Sequence, residues 1–361
     1  MAPVIAALRS MPQHFTTRVC SSGQHRELLA DALADFDIKP DIALDVMTEG
    51  QTLASLSARL FSSIDSMLEA ERPDAVLVQG DTTTVMVAAL AAFYRGIAVG
   101  HVEAGLRSHN LHAPFPEELN RRVATLATTW HFSPTSLSRD NLAKEGIDQK
   151  SIFVTGNSVI DALLATVKKI EGGKASTNKA LTSLLTQPRK RVLITAHRRE
   201  NFGAPFLEIC DAISTLATAH PAIDFIYPVH PNPNVKATAY DKLGSMSNMH
   251  LLDPLPYTDF VFALKNATLV LSDSGGLQEE APALGKPALV MRDVTERPEG
   301  VDAGVNILVG SNKEKIVATV QKLLTDEAAY NTIAQKRNPF GDGTAGQQIA
   351  AILRDHWSTK S

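Results

Sequence analysis

Cysteine is nearly absent: Cys20 and Cys210 are the only two in 361 residues, too far apart to suggest a disulfide framework or a metal-ligand spacing. They read as free, buried thiols of a protein in a reducing compartment. Net charge is equally scarce, −4 at neutral pH with no dense run of Lys or Arg, so the footprint of a nucleic-acid binder is missing. A phosphate-bearing ligand must then be held by local groups and not by a field over the whole surface. No apolar run reaches the roughly 18–20 residues of a membrane span, and the N-terminus lacks the apolar core of a signal peptide. These absences point to a cytoplasmic protein. Neither a Gly-x-Gly-x-x-Gly nor a Gly-x-x-x-x-Gly-Lys-Ser/Thr run occurs, which argues against a dinucleotide dehydrogenase and a P-loop NTPase. Internal repeats and low-complexity tracts are missing too.

What remains is an ordinary globular composition, 44% hydrophobic and 20% charged, in a chain long enough for two separate cores. Short β-rich runs at 17–19, 75–78, 97–102, 152–154, 192–195, 225–228, 269–272 and 288–291 alternate with amphipathic stretches such as 50–68 and 205–217. Continuous apolar strands separated by helices predict parallel sheets covered on both faces. So many strands favour two open sheets, that is, two Rossmann-like, doubly wound α/β domains. Composition shifts once, at Glu171-Gly172-Gly173-Lys174-Ala175-Ser176-Thr177-Asn178, which reads as a linker or, alternatively, a surface loop of one large domain. The expected domains are 1–170 and 177–340, with a last helix over 344–361 joining the first. In such folds ligands bind beyond the carboxyl ends of the strands, so the expected active site is the interdomain cleft.

The motifs fall mostly at strand ends. In Gln79-Gly80-Asp81-Thr82-Thr83-Thr84, Gly80 permits a tight turn; Asp81 or a threonine caps the following helix, while Asp81 also faces the expected cleft. His101-Val102-Glu103-Ala104-Gly105-Leu106-Arg107 puts Glu103 at a strand end, as a crevice carboxylate, a solvated acid or the partner of Arg107. Pro114-Phe115-Pro116-Glu117-Glu118-Leu119-Asn120-Arg121-Arg122 opens a helix whose positive end attracts Glu117 and Glu118. Thr195-Ala196-His197-Arg198-Arg199-Glu200-Asn201-Phe202-Gly203 resembles an anion-binding turn and makes His197 the best-placed histidine for a proton or phosphate role. His230 sits in the rigid turn Pro228-Val229-His230-Pro231-Asn232-Pro233-Asn234 and reads as mainly structural. Most informative is Ser272-Asp273-Ser274-Gly275-Gly276-Leu277-Gln278-Glu279-Glu280, which ends a strand and starts a helix with two glycines: a diphosphate cradle. Glu280, a turn further on, suits the hydroxyls of a ribose, and Arg297 in Glu296-Arg297-Pro298-Glu299 adds a cation.

Taken together these stretches resemble the non-hydrolysing UDP-GlcNAc 2-epimerases. The likeness runs in order through Gly80-Asp81-Thr82-Thr83, the stretch from His101 to Arg107, Pro116-Glu117-Glu118 with Asn120-Arg121, His197-Arg198-Arg199-Glu200 and Asp273-Ser274-Gly275-Gly276. It continues through Glu279-Glu280-Ala281-Pro282, Gly285-Lys286-Pro287 and Arg292-Asp293 to Glu296-Arg297-Pro298, covering nearly the whole chain. The resemblance implies a GT-B-type fold, a homodimer, no metal or other cofactor, and interconversion of UDP-GlcNAc and UDP-ManNAc for cell-surface polysaccharide. UDP is eliminated to leave a 2-acetamidoglucal and is then re-added. Carried over motif by motif, Asp81, Glu103 and Glu117 are the acid/base candidates, and His197 attends the diphosphate or a proton. Arg121 contacts substrate, Ser274, Gly275 and Gly276 hold phosphate, Glu280 the ribose, Arg297 the nucleotide, and Phe260 lies against uracil.

Some family members bind a second UDP-GlcNAc as an activator. Gly23-Gln24-His25-Arg26-Glu27 matches that region, with Glu27 where some regulated members have Gln, and Gln24, Arg59 and His230 are the candidates for the pocket. One departure stands out: the chain starts at Met1-Ala2-Pro3-Val4-Ile5, matching the helix after the family's Gly-Thr-Arg-Pro-Glu-type loop. About fifteen residues, enough for a strand and turn, are therefore expected to precede it in a full-length relative. Three rivals stay open: a GT-B glycosyltransferase, a hydrolysing epimerase, and a UDP-sugar-binding protein inactive for want of that loop.

Overall fold

The structure is a computed structural model that describes residues 1–23, 33–48, 50–173, 176 and 178–358. The chain divides into two compact units, Met1–Ala162 with Gly341–Ser361, and Leu163–Phe340. Both are α/β with parallel strands, as the alternating pattern predicts.

In the first unit, β1 (Cys20–Ser21) and β2 (Ile42–Ala43) form a parallel pair of their own. The main sheet runs in the order β3 (Ala75–Gln79), β4 (Ala98–Val102), β5 (Trp130–Ser133), β6 (Ile152–Val154), all parallel. Register places Gln79 opposite Val102, so the loops that leave β3 and β4 start side by side. The helix Leu53–Glu71 covers one face through Leu56, Leu60, Ile64 and Leu68, a stripe at four-residue spacing. Thr52 and Ser55 form its capping box, and Arg72, left-handed at φ 46°, ends it. Val4, Ala7 and Leu8 of helix Ala2–Arg9 and Ile349, Ala350 and Leu353 of helix Ala345–Ser358 pack with Trp130 and Phe132 on the sheet. A Cβ on Gly346 would lie 2.8 Å from the Pro3 carbonyl oxygen, so only glycine lets these two helices approach this closely.

The second unit holds a six-stranded parallel sheet. Its strands are β7 (Arg191–Thr195), β8 (Asp224–Pro228), β9 (Met249–Leu252), β10 (Leu269–Ser272), β11 (Ala288–Val290) and β12 (Asn306–Leu308). Their spatial order is β9, β8, β7, β10, β11, β12, the doubly wound arrangement in which the winding reverses between β7 and β10. Helices Ala204–Ala219, Pro233–Leu243 and Lys313–Thr325 cover one face through residues such as Ile213, Val235 and Ile316. On the other, Leu181, Val261, Leu264 and Leu277 pack with Leu163 and Val167. Those last two belong to the helix Ser158–Glu171, so the division between units falls inside this helix and not at the polar stretch 171–178. The apolar pair Leu163 and Val167, not loop composition, carries the chain into the second core.

Two details depart from expectation. Cys210 is buried, but Cys20 is exposed because it opens a short strand outside both main sheets. The strand expected at 17–19 pairs only from Cys20 onward, although the Val19 carbonyl already accepts the Asp41 and Ile42 amides at 2.8 and 3.1 Å. Among the described residues no helix is long and apolar enough to cross a membrane.

Candidate active site

In the first unit, the turn after β3 carries Asp81 and the turn after β4 carries Glu103. Gly80, at φ 81°, bends the chain away from β3 while its amide still donates to the Val102 carbonyl at 3.1 Å. His101, fully buried, hydrogen-bonds the Gly80 carbonyl through Nε2 at 2.7 Å, and burial pushes its pKa down to about 4. The neutral ring thus props the turn from beneath. Thr82, not Asp81, caps helix Thr83–Tyr94 by accepting the Val85 amide. That leaves the Asp81 carboxylate for Arg121, which ion-pairs it and reaches Glu118 at 3.3 Å. Glu118 is fully buried and also accepts the amides of Ser108 and His109 at 3.0 and 3.2 Å, so it anchors the 108–109 loop. Asn120 ties its amide to the Asp81 carbonyl at 2.9 Å. One helix, Glu117–Leu126, therefore fixes both backbone and side chain of Asp81.

Glu103 is left-handed at φ 67°, an uncommon conformation for a residue with a Cβ and one that marks constrained sites. Its Oε1 accepts from Asn157 Nδ2 at 3.4 Å, and its Oε2 lies 3.8 Å from where a Cβ on Gly80 would stand. Asp81 and Glu103 are thus neighbours across the β3–β4 strand ends. Of the pairings open for Glu103, Arg107 takes no part: its guanidinium forks onto Glu145 at 2.9 and 2.8 Å and donates to Thr125 at 3.0 Å. The strained turn between them sends the two side chains to different partners. Glu117, four residues before Arg121, shares its helix face, and among the described residues no hydrogen bond or ion pair holds its carboxylate.

In the second unit the loops after β7 and β10, the switch-point pair, are bound together by Asp273. Its buried Oδ2 accepts the amides of His197 and Arg198, both at 2.8 Å, and Asn201 Nδ2 at 3.1 Å. His197 Nδ1 lies 3.4 Å from Oδ1, and the ring stacks on His230 with centroids 5.4 Å apart. Desolvation lowers the His197 pKa, with Asp273 opposing it. A Cβ on Gly275 would stand 2.9 Å from Arg297 Nη1 and 3.4 Å from Arg198 Nη2, so two guanidiniums converge on that glycine. Arg297 is aimed by ion pairs to Glu279 and, at 3.6 Å, Glu296. Ser274 donates its amide to Ser272 Oγ at 2.9 Å, closing the turn.

Beside this loop lies a cavity of about 280 Å³. His197, His230, Phe260, Ser274 and Glu280 line it, together with Tyr257. Glu280 is 7% exposed, accepts the Tyr257 hydroxyl at 3.0 Å, and burial raises its pKa to about 7. Every residue proposed from sequence for the nucleotide in this unit (Phe260, Ser274, Gly275, Gly276, Glu280, Arg297) therefore borders the cavity or the adjoining glycine turn. The sequence placed Arg198 in an anion-binding turn but assigned no role to Asp273, Asn201 or Tyr257. Their importance rests on which strands become neighbours.

The second-pocket candidates separate. Gln24 lies outside the described residues. Arg59 is committed to the Val46 carbonyl at 2.9 Å and to Gln51. His230 takes the Asn232 amide at 3.1 Å and belongs to the His197 cavity.

These geometries can be set beside known proteins. A family model described as UDP-N-acetylglucosamine 2-epimerase matches residues 7–354. A UDP-N-acetylglucosamine 2-epimerase from Yersinia pestis is 47% identical over 362 residues, spanning 99% of this chain and 96% of its own. The UDP-GlcNAc 2-epimerase from Neisseria meningitidis, solved bound to UDP-GlcNAc, is 43% identical with a TM-score of 0.88, covering 98% of this chain and 96% of that one. The enzyme from Methanocaldococcus jannaschii, solved with UDP-GlcNAc and UDP, is 34% identical with a TM-score of 0.80, covering 98% and 95%. The likeness thus spans both units and all the motifs above, and the chain belongs to the UDP-N-acetylglucosamine 2-epimerase family.

Proposed function

We propose that this chain is a non-hydrolysing epimerase that interconverts UDP-GlcNAc and UDP-ManNAc. The observation that carries the reading is the loop after β10, where Arg198 and Arg297 converge on Gly275 beside a cavity holding a buried carboxylate. The turn suits a diphosphate, because guanidiniums and first-turn helix amides neutralise it and allow it to leave as an anion. Glu280 takes the ribose hydroxyls and Phe260 flanks the base.

In the reaction the C2 proton is removed, the C1–O bond to UDP breaks, and the electron pair forms the C1=C2 bond of a 2-acetamidoglucal. Re-addition of UDP to C1 with a proton delivered to the other face of C2 completes the inversion. Asp81, Glu103 and Glu117 supply the base and the acid. The ion pair from Arg121 fixes the Asp81 carboxylate in position, as a base requires. His197 serves the leaving diphosphate or a proton. Arg121 contacts substrate and also holds Asp81 in place.

The enzyme works in the cytoplasm as a homodimer and supplies ManNAc for cell-surface polysaccharide; family membership supports this reading, and light scattering tests the dimer. The decisive experiment incubates the chain with UDP-GlcNAc in D2O and follows the sugar by proton NMR. Deuterium at C2 with UDP-ManNAc appearing is the expected result. Release of free ManNAc with UDP indicates a hydrolysing enzyme, and UDP binding without exchange indicates a glycosyltransferase or a binding protein.

A further inference from the structure

Glu280 is set in a cavity whose other walls include Pro228, Val229, Pro254 and Leu255, an apolar setting for a carboxylate. Such a group has a preferred direction only if something holds it, since its terminal torsion is broad. Here the holder is Tyr257, first residue of helix Tyr257–Asn266, whose hydroxyl donates to Oε1 at 3.0 Å. Phe260, three residues on, lines the same cavity, so one helix face carries both aromatic rings. Oε2 points elsewhere, 3.8 Å from where a Cβ on Gly276 would stand, at the head of the glycine turn.

We propose that Tyr257 is a specificity-determining positioning residue: its hydroxyl clamps one oxygen of Glu280 so that the carboxylate is presented, as acceptor, to the vicinal diol of a ribose in the cavity. The inference rests on the reading of Glu280 as the ribose ligand. A phenol donates well and has a rigid ring, so the carboxylate is oriented before the nucleotide arrives and little freedom is lost on binding. The same hydrogen bond opposes the effect of burial and favours the ionised carboxylate, the form that accepts from two hydroxyls. Because the ribose is remote from C1 and C2, Tyr257 stabilises ground and transition states alike, and its loss falls on KM and not on kcat.

The test compares wild type, Y257F and E280Q in steady-state kinetics with UDP-GlcNAc and in calorimetric titrations with UDP and 2′-deoxy-UDP. For Y257F a KM about tenfold higher is expected, the equivalent of ~1.4 kcal/mol, with kcat changed less than about twofold. The preference for UDP over 2′-deoxy-UDP should shrink by a similar factor in Y257F and in E280Q. If Y257F weakens both ligands equally, the tyrosine acts by packing and the inference is overturned. It is also overturned if Y257F keeps wild-type KM and preference while E280Q loses them, which leaves the ribose reading of Glu280 intact. If E280Q itself keeps the preference, that reading fails and this inference with it.

Discussion

Replacing Asp273 by alanine is expected to loosen the second unit and disable its ligand loop together. The carboxylate accepts three hydrogen bonds through one oxygen, from His197 N, Arg198 N and Asn201 Nδ2, and has no exposure to solvent. Bonds to a charged acceptor contribute about 1.5–3 kcal/mol each in mutational series, and bonds sharing one acceptor add less than their sum. Alanine would strand the two backbone donors and leave Asn201 Nδ2 only the Met291 carbonyl, a loss of about 3–5 kcal/mol, comparable to breaking a buried pair. For a unit of this size, each kcal/mol moves Tm by about 2–4 °C, so D273A should melt about 10 °C lower. D273N retains a neutral oxygen for the two backbone amides and should lose about 1–2 kcal/mol. Scanning calorimetry gives the Tm, and titration with UDP reads the loop. Since the same amides hold His197 and Arg198 in place, UDP affinity should fall with stability in both variants. A D273A protein that melts within about 2 °C of wild type and binds UDP normally would refute the clamp.

Three further outcomes follow from the geometry. G275A brings a Cβ to 2.9 Å from Arg297 Nη1 and 3.4 Å from Arg198 Nη2. The side-chain tips can yield, so Tm should hardly move while UDP affinity falls about tenfold or more, as calorimetry would register. His101 has a folded-state pKa near 4 against the usual 6.5, so stability is full above pH 6.5 and is lost as pH falls toward 4. About 2 kcal/mol should disappear by about pH 5, and denaturant titrations should find that loss smaller in H101Q, whose amide can still donate to Gly80. Glu280, raised to about 7, gains its acceptor charge as pH rises, so UDP-GlcNAc should bind more tightly across that interval, with a proton released on binding. Its effect on stability has the opposite sense, being present at low pH and lost as pH rises through about 7. An unchanged pH slope in E280Q would overturn the assignment.

The alternation of strands and helices was legible from apolar runs and their spacing, and the two main sheets follow from it. Less legible were strands that carry polar residues inward. In β5, Trp130-His131-Phe132-Ser133, all four residues are buried, and the polar pair breaks the apolar signal that marks a central strand. The change of core inside helix Ser158–Glu171 was hidden for a related reason: Leu163 and Val167 look like any amphipathic stripe, and only the structure reveals which core they enter. The acids at strand ends were found because Gly80 and the turn residues flag those positions. Their partners were not, since Asp81–Arg121 and Asp273–His197 join segments 40 and 76 residues apart. Even neighbours in sequence were misleading: Glu103 and Arg107 are four apart, yet no helix puts them on one face.

The helix Ala345–Ser358 belongs to the unit that the chain leaves at Ala162, and its Gly346 presses against the backbone of Pro3. On the ribosome this turns architecture into a schedule. The second unit, continuous in sequence, is synthesised in full while the first still lacks one of the two helices that pack on Trp130 and Phe132. Asp81, Glu103 and Glu117 sit in the part that matures last. A nascent chain therefore carries every residue of the second unit before the helix that spans the first unit's sheet has been made, so the discontinuous unit is the one that must wait.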